Sequence, residues 1–224
     1  MEAQYMNDFY EFLTGPALWA AFIIFIVGIV VRVAYLYGLS RERDLVFYNH
    51  VDLKWAFRSI IHWLIPFGSV SLRTQPLFAI AFFLFHVCLL GVPIFLLAHN
   101  TLWQEAYGIS LPSLPDSLAD VLTVLFVISA LVLLVRRIVR PEVRILSTAW
   151  DYFLLVLTSA PFVTGFLAYH QIGPYKLTLI LHILLSEILL IVIPFSKLGH
   201  IVLFFFSRAF IGFEMGTRRG ARTW

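Results

Sequence analysis

Residues 177–203 read LTLILHILLSEILLIVIPFSKLGHIVL. Only Glu187, Lys197 and the two histidines, His182 and His200, carry ionisable side chains in this run. Such a run is long enough to cross a bilayer, which takes about 20 helical residues. An ionisable group at membrane depth is costly and is a functional candidate by default. The two histidines are 18 residues apart, which on a regular helix places them on one face, about 27 Å apart along the axis.

A second apolar run carries His86 and, at its end, His99. Their spacing of 13 residues corresponds to about 19.5 Å of rise and about 220° of rotation, which Pro93 between them can alter. If the two helices are antiparallel, height pairs His86 with His200 and His99 with His182. The two rises differ by about 7 Å, so tilt and a bend at Pro194 have to absorb the difference. Imidazoles on facing helices are the axial ligands a low-spin electron-transfer haem needs, and a bundle core is where such sites are built. The four histidines are therefore read as axial ligands of two haems stacked across a membrane.

Composition agrees with the membrane reading. The chain is 61% hydrophobic and 13% charged, whereas soluble domains are roughly 45–50% apolar and about 25% charged. The expected fold is an all-α integral membrane protein, a single domain over residues 1–224, because the soluble segments are too short to fold separately. Five spans are expected, at about 17–38, 76–98, 117–139, 146–169 and 177–203, the last staying apolar to Phe210. Residues 51–64 read as an amphipathic helix in the interface, with Leu53, Phe57, Ile60, Ile61 and Leu64 set apart from Lys54 and Arg58. The acidic start of the chain and the absence of a small-residue cleavage site make the first span a signal anchor.

Of the 16 Lys and Arg residues, Lys176 alone falls on one side of these spans. The positive-inside rule then puts the N-terminus outside and the C-terminus, with Arg218, Arg219 and Arg222, in the cytoplasm. The single Cys88 excludes an intrachain disulfide and c-type haem attachment. Iron–sulfur cysteine motifs, a nucleotide-binding loop and a hydrolytic constellation are all missing from the sequence, so the chain reads as a subunit rather than a complete enzyme. Nothing in it calls for nucleic acid.

Other polar residues have two readings each. Glu187, deep in the last run, is either a proton relay or a neutral carboxyl hydrogen-bonded near Ser186. Arg32 either meets a haem propionate or Glu187, or snorkels inward. His170, at the end of the fourth span, is a spare ligand or a quinone contact. Tyr175 and Lys176 border the outer haem position as quinone contacts or as an interface anchor. His50 and His62 in the inner loop and Asp151 early in the fourth span read as interfacial.

The segment from Leu181-His182 to Ile193-Pro194-Phe195-Ser196-Lys197-Leu198-Gly199-His200 resembles the last helix of the nitrate reductase gamma-subunit family. Those proteins are five-helix dihaem b-type cytochromes. Their last helix carries two haem ligands at this spacing, with a Pro-Phe-Ser-basic-Leu segment before the second. Phe85-His86 and the Leu-Leu-Gly that follows look like the start of the family's other ligand pair. In the nitrate reductase branch that pair is ten residues apart, which falls on Leu96 here, one turn before His99. A lysine near that branch's outer quinol site is replaced by Asp116 and Asp120. The longer inner loop looks more like relatives in membrane redox complexes of sulfate-reducing bacteria, which partner iron–sulfur proteins of heterodisulfide-reductase type and a periplasmic multihaem cytochrome c.

The resemblance implies two haems b, menaquinone or another quinone as substrate, a cytoplasmic iron–sulfur subunit as partner, and a bacterial or archaeal cytoplasmic membrane. Two other readings remain open on the residues. One is a haem-free scaffold or small transporter with structural or metal-binding histidines. The other is a b-type cytochrome of the hydrogenase or formate dehydrogenase gamma type, which places its ligands on different helices.

Overall fold

The computed structural model describes residues 2–43, 48–49 and 51–216; His50, Arg218, Arg219 and Arg222 lie outside the described residues. Among its described residues the chain is all-helical, with six helical stretches long and apolar enough to cross a membrane. It is a multi-pass membrane protein by length and composition of its helices. Two compact units divide it, one of residues up to Pro76 together with those from Ile183 onward, the other Leu77–His182.

In the first unit, α1 (Glu2–Phe12) and α2 (Leu18–Arg43) join through a widened π turn, Leu13–Ala17. Pro16 sits in that turn and has no N–H to give to Phe12, so the turn loosens and the Leu18 N–H reaches back to Leu13. The helix expected to begin near residue 17 therefore starts well before it, and the apolar candidate runs Gln4–Arg43. The interfacial helix α3 (Leu53–Leu64) forms as expected. Asp52 caps it, accepting from the N–H groups of Lys54 and Trp55.

The expected span 177–203 is corrected. Helix α10 (Tyr175–Val192) stops, two 3-10 turns follow (Ile193–Phe195 and Lys197–Gly199), and α11 (His200–Gly216) begins anew. Pro194 cannot donate to the ladder, Ser196 is extended (φ −123°, ψ −176°), and its hydroxyl accepts from the Leu198 N–H to start the second turn. The result is a full break where a bend was expected. Arg32 of α2 closes it: Nη1 donates to the carbonyls of Pro194 at 2.8 Å and Ser196 at 2.6 Å. Space for this contact comes from two glycines. A Cβ on Gly28 would lie 2.8 Å from the Pro194 ring, and one on Gly199 would lie 2.5 Å from Arg32 Nη1.

The second unit holds α5 (Pro76–Phe95), α6 (Leu97–Tyr107), α7 (Asp116–Val139), α8 (Pro141–Arg144) and α9 (Ala149–Tyr169); α4 is the short turn Val70–Arg73 before them. Its core stacks Phe85, Phe126 and Phe162, with centroids 4.8 and 3.9 Å apart, around buried Cys88, Val92 and Ala130. The span expected to reach residue 98 ends at Phe95, because Leu96 is extended (ψ 130°). The span expected from 146 starts at Ala149, where Thr148 and Asp151 cap each other's backbone. Asp151 thus has a capping role and is buried.

Substituting Arg32 tests the break. Arg32→Leu leaves two carbonyls without their charged donor and is expected to lower the unfolding free energy by about 3 kcal/mol, with Arg32→Lys losing roughly half as much. Unfolding of the purified protein in mixed micelles measures both.

Candidate functional site

The four candidate histidines share one local feature. His86 Nδ1 lies 2.8 Å from the Phe82 carbonyl, and His99 Nδ1 2.9 Å from that of Pro93. His182 Nδ1 lies 2.8 Å from the Pro161 carbonyl, and His200 Nδ1 2.9 Å from that of Lys197. A carbonyl only accepts, so Nδ1 carries the proton in each. In a neutral imidazole this makes Nε2 the lone-pair nitrogen. Metal-binding histidines are oriented in this way, by giving their other N–H to a carbonyl or carboxylate.

Two of the four carbonyls, those of Pro93 and Lys197, belong to broken backbone. Leu96 leaves the helix, so the Pro93 carbonyl loses its usual backbone donor, and the His99 Nδ1–H takes that donor's place. The same break frees the Phe95 carbonyl, which the Leu114 N–H meets at 2.8 Å. His200 bonds to the 3-10 turn after Pro194. His182 bonds to Pro161 inside α9, and Gly165, one turn on, makes the room. A Cβ there would lie 2.9 Å from both Cε1 and Nδ1 of His182.

The structure brings His99 and His182 together. Their ring centroids are 6.0 Å apart and their planes 23° from parallel. Two imidazoles bound to one ion through bonds of about 2 Å each have centroids roughly 6 Å apart, so the pair has the separation an axial ligand pair requires. His86 belongs to the same unit as this pair, and His200 to the other unit. Among the described residues no three or more His, Cys, Asp or Glu side chains gather as a metal-binding group. A bare zinc centre, which takes three or four protein ligands, thus finds no ready donor set there.

The remaining candidates fall in several places. His170 Nε2 meets Asp120 Oδ1 at 2.9 Å, each side chain 34% exposed, at the end of α9 and the start of α7. Sequence reading singled out both residues but not their pairing, which joins positions 50 apart. Tyr175 is exposed and Lys176 half-buried at the start of α10. Glu187 is buried, and its Oε1 has no hydrogen-bond partner among the described residues. Arg32 holds the helix break. His62 lies half-buried on α3. Gly165 went unnoticed in the sequence, since a helical glycine announces nothing until its neighbour is known.

No family model matches the chain, and no solved structure matches it. A protein of Nitratidesulfovibrio vulgaris (strain Hildenborough), named simply "Protein", is 48% identical over 218 residues, which is 96% of each chain. The two chains belong to one family. The likeness extends over nearly the whole of both chains rather than over one motif.

Two glycines of the second unit separate site geometry from general helix effects. Gly165→Ala is expected to cost about 2 kcal/mol by pushing the His182 ring off Pro161. Gly91→Ala, whose Cβ meets nothing within 4 Å, is expected to be neutral or stabilising by about 0.5–1 kcal/mol. Thermal unfolding of the two variants side by side checks this.

Proposed function

We propose that the chain is a dihaem b-type cytochrome subunit of a respiratory redox complex, passing electrons between a quinone such as menaquinone and soluble redox partners. The observation that carries the reading is the common anchoring of four histidines through Nδ1, with His99 and His182 at 6.0 Å. His99 and His182 would hold one haem, with His86 and His200 as the remaining candidate ligands. When bound, haem b supplies one-electron redox chemistry, with its potential set by ligation, burial and hydrogen bonding. The carbonyls of Phe82, Pro93, Pro161 and Lys197 orient the imidazoles.

The dyad of His170 and Asp120 is the proposed proton acceptor of a quinone site. Asp120 orients the imidazole, which can take a proton from a quinol hydroxyl as a quinol loses electrons. Tyr175 and Lys176, just beyond the turn at Gly173 (φ +84°), would face a head group. Glu187 is the candidate for onward proton movement.

The proposed topology keeps five spans, with the N-terminus outside and the C-terminus in the cytoplasm. It is supported by the packing of α11 along α3: Gly212 sits on Trp55 and Ala56, Gly216 on Trp55, and Arg208 over the Trp63 ring. An amphipathic helix bearing Lys54 and Arg58 belongs in the interface, so α11 lies there with it rather than forming a sixth span. The basic side then faces a cytoplasmic iron–sulfur subunit, and the opposite side a periplasmic multihaem cytochrome c. The relative comes from a sulfate-reducing bacterium, the kind of source to which the resemblance points.

Pyridine haemochrome quantitation on the purified protein tests the reading. Two haems b per chain are expected, falling to one in His182→Ala; a chain purified with its partners and carrying no haem would leave the scaffold reading. His170→Ala and Asp120→Asn are expected to slow quinol oxidation at least about 100-fold with haem content unchanged, measured by haem reduction with a soluble quinol.

A further inference from the structure

A cleft opens between α2 and α11. Its walls are Val33, Leu36 and Tyr37 on one side and Leu203, Phe206 and Phe210 on the other, and its volume is about 200 Å³. All of these residues belong to the first unit. Ser40 and Ser207 complete the lining, so the wall positions on each helix follow i, i+3, i+4 and i+7 and form one face. On α11 that face is opposite the one that meets α3 through Arg208, Gly212 and Gly216. The cleft can be entered from outside, since Tyr37 is 52% and Phe206 41% exposed.

The two ends of the cleft differ. At one end Arg32 is engaged with the carbonyls of Pro194 and Ser196 and lies against Gly199. At the other end Tyr48 bridges the walls. Its hydroxyl donates to Ser40 Oγ at 3.1 Å, and its ring stands edge-on to Tyr37 and Phe210, with centroids 6.2 and 6.1 Å away. The Arg41 guanidinium carbon lies 4.8 Å from the centre of that ring. Stacking uses the face of a guanidinium and leaves its in-plane N–H groups to donate. Counted round the helix from Ser40, Arg41 lies about 100° to one side and Arg43 about 60° to the other, while Glu42 lies about 160° away. Both arginines are exposed.

An open apolar slot flanked at one end by two arginines fits a ligand with a hydrocarbon chain and an anionic head. Both walls belong to helical stretches apolar enough for a bilayer, so such a ligand enters from the surrounding lipid. Arginine recognises phosphate through paired donors, and basic residues at the end of a span attract an anionic leaflet. We infer that the cleft between α2 and α11 binds one acyl chain of an anionic phospholipid, whose phosphate is held by Arg41 and Arg43. The site is independent of any haem.

The test titrates lipid into the full chain in a neutral detergent and counts bound molecules by native mass spectrometry. One dioleoylphosphatidylglycerol per chain is expected to bind under conditions where dioleoylphosphatidylcholine does not. Replacing both arginines, Arg41→Gln with Arg43→Gln, is expected to weaken that binding about 30-fold. Ser207→Phe, which fills the cleft and leaves the charges in place, is expected to weaken it about tenfold. Lys54→Gln with Arg58→Gln, on the exposed side of α3, is expected to bind as the wild type does. If one cleft variant does not fold, the other carries the comparison. Equal binding of the two lipids would overturn the proposal, because the arginines then select nothing. Wild-type binding in Ser207→Phe would also overturn it, because the chain then lies outside the cleft. So would displacement of the lipid by glycerol phosphate, which marks a free-anion site, or an isoprenoid quinone retained in the lipid's place.

Discussion

In hydrocarbon, water cannot take up a stray backbone carbonyl, so every helix break at membrane depth must be closed by the protein itself. This chain breaks its helices at two such places. At Leu96 the freed carbonyls of Pro93 and Phe95 are met by His99 and by the Leu114 N–H. After Pro194, Arg32 takes the carbonyls of Pro194 and Ser196, and His200 that of Lys197. In α9 the carbonyl of Pro161 receives His182. One requirement thus fixes both the backbone and the imidazoles.

The consequence for chemistry is orientation. An imidazole tied by Nδ1 to a carbonyl has one tautomer and little freedom of the ring, so its other nitrogen is presented in a fixed direction. Four side chains held in this manner are pre-organised for the proposed ligand role, and small residues complete the fit, Gly165 beneath His182 and Gly28 beneath Pro194. Helix breaks that would be liabilities in a simple bundle become the parts that place the proposed ligands. The same logic explains the intramembrane arginine: its charge is stabilised by carbonyl dipoles at the break rather than by a carboxylate.

Much of this was legible in the sequence, and the limits are physical. Hydropathy located the apolar runs, and the period of α3 gave its boundaries to within two residues at its start. The spacing of 18 does not put His182 and His200 on one helix face, because they stand on separate helices, α10 and α11, whereas matching heights set His99 beside His182, which the structure brings together. A proline in an apolar run, however, signals a disturbance and not its size. Pro16 only widens a turn, Pro161 stays inside a helix, and Pro194 ends one. The difference at Pro194 lies in Ser196, a capping residue able to restart the chain, and in Arg32, 162 residues away, able to hold the gap. Contacts of that separation, like His170 with Asp120, have no signature in a single sequence.

The proposal has His99 and His182 ligating one iron with their rings held near the planes seen here. Low-temperature electron paramagnetic resonance of the oxidised protein tests it most directly, because the line shape of a bis-imidazole ferric haem depends on the angle between the two rings. Planes 23° apart predict a rhombic low-spin signal, absent from His182→Ala and altered in Gly165→Ala. A signal of the strongly axial kind given by perpendicular imidazoles, unchanged by His182→Ala, or no ferric haem signal at all, would contradict it.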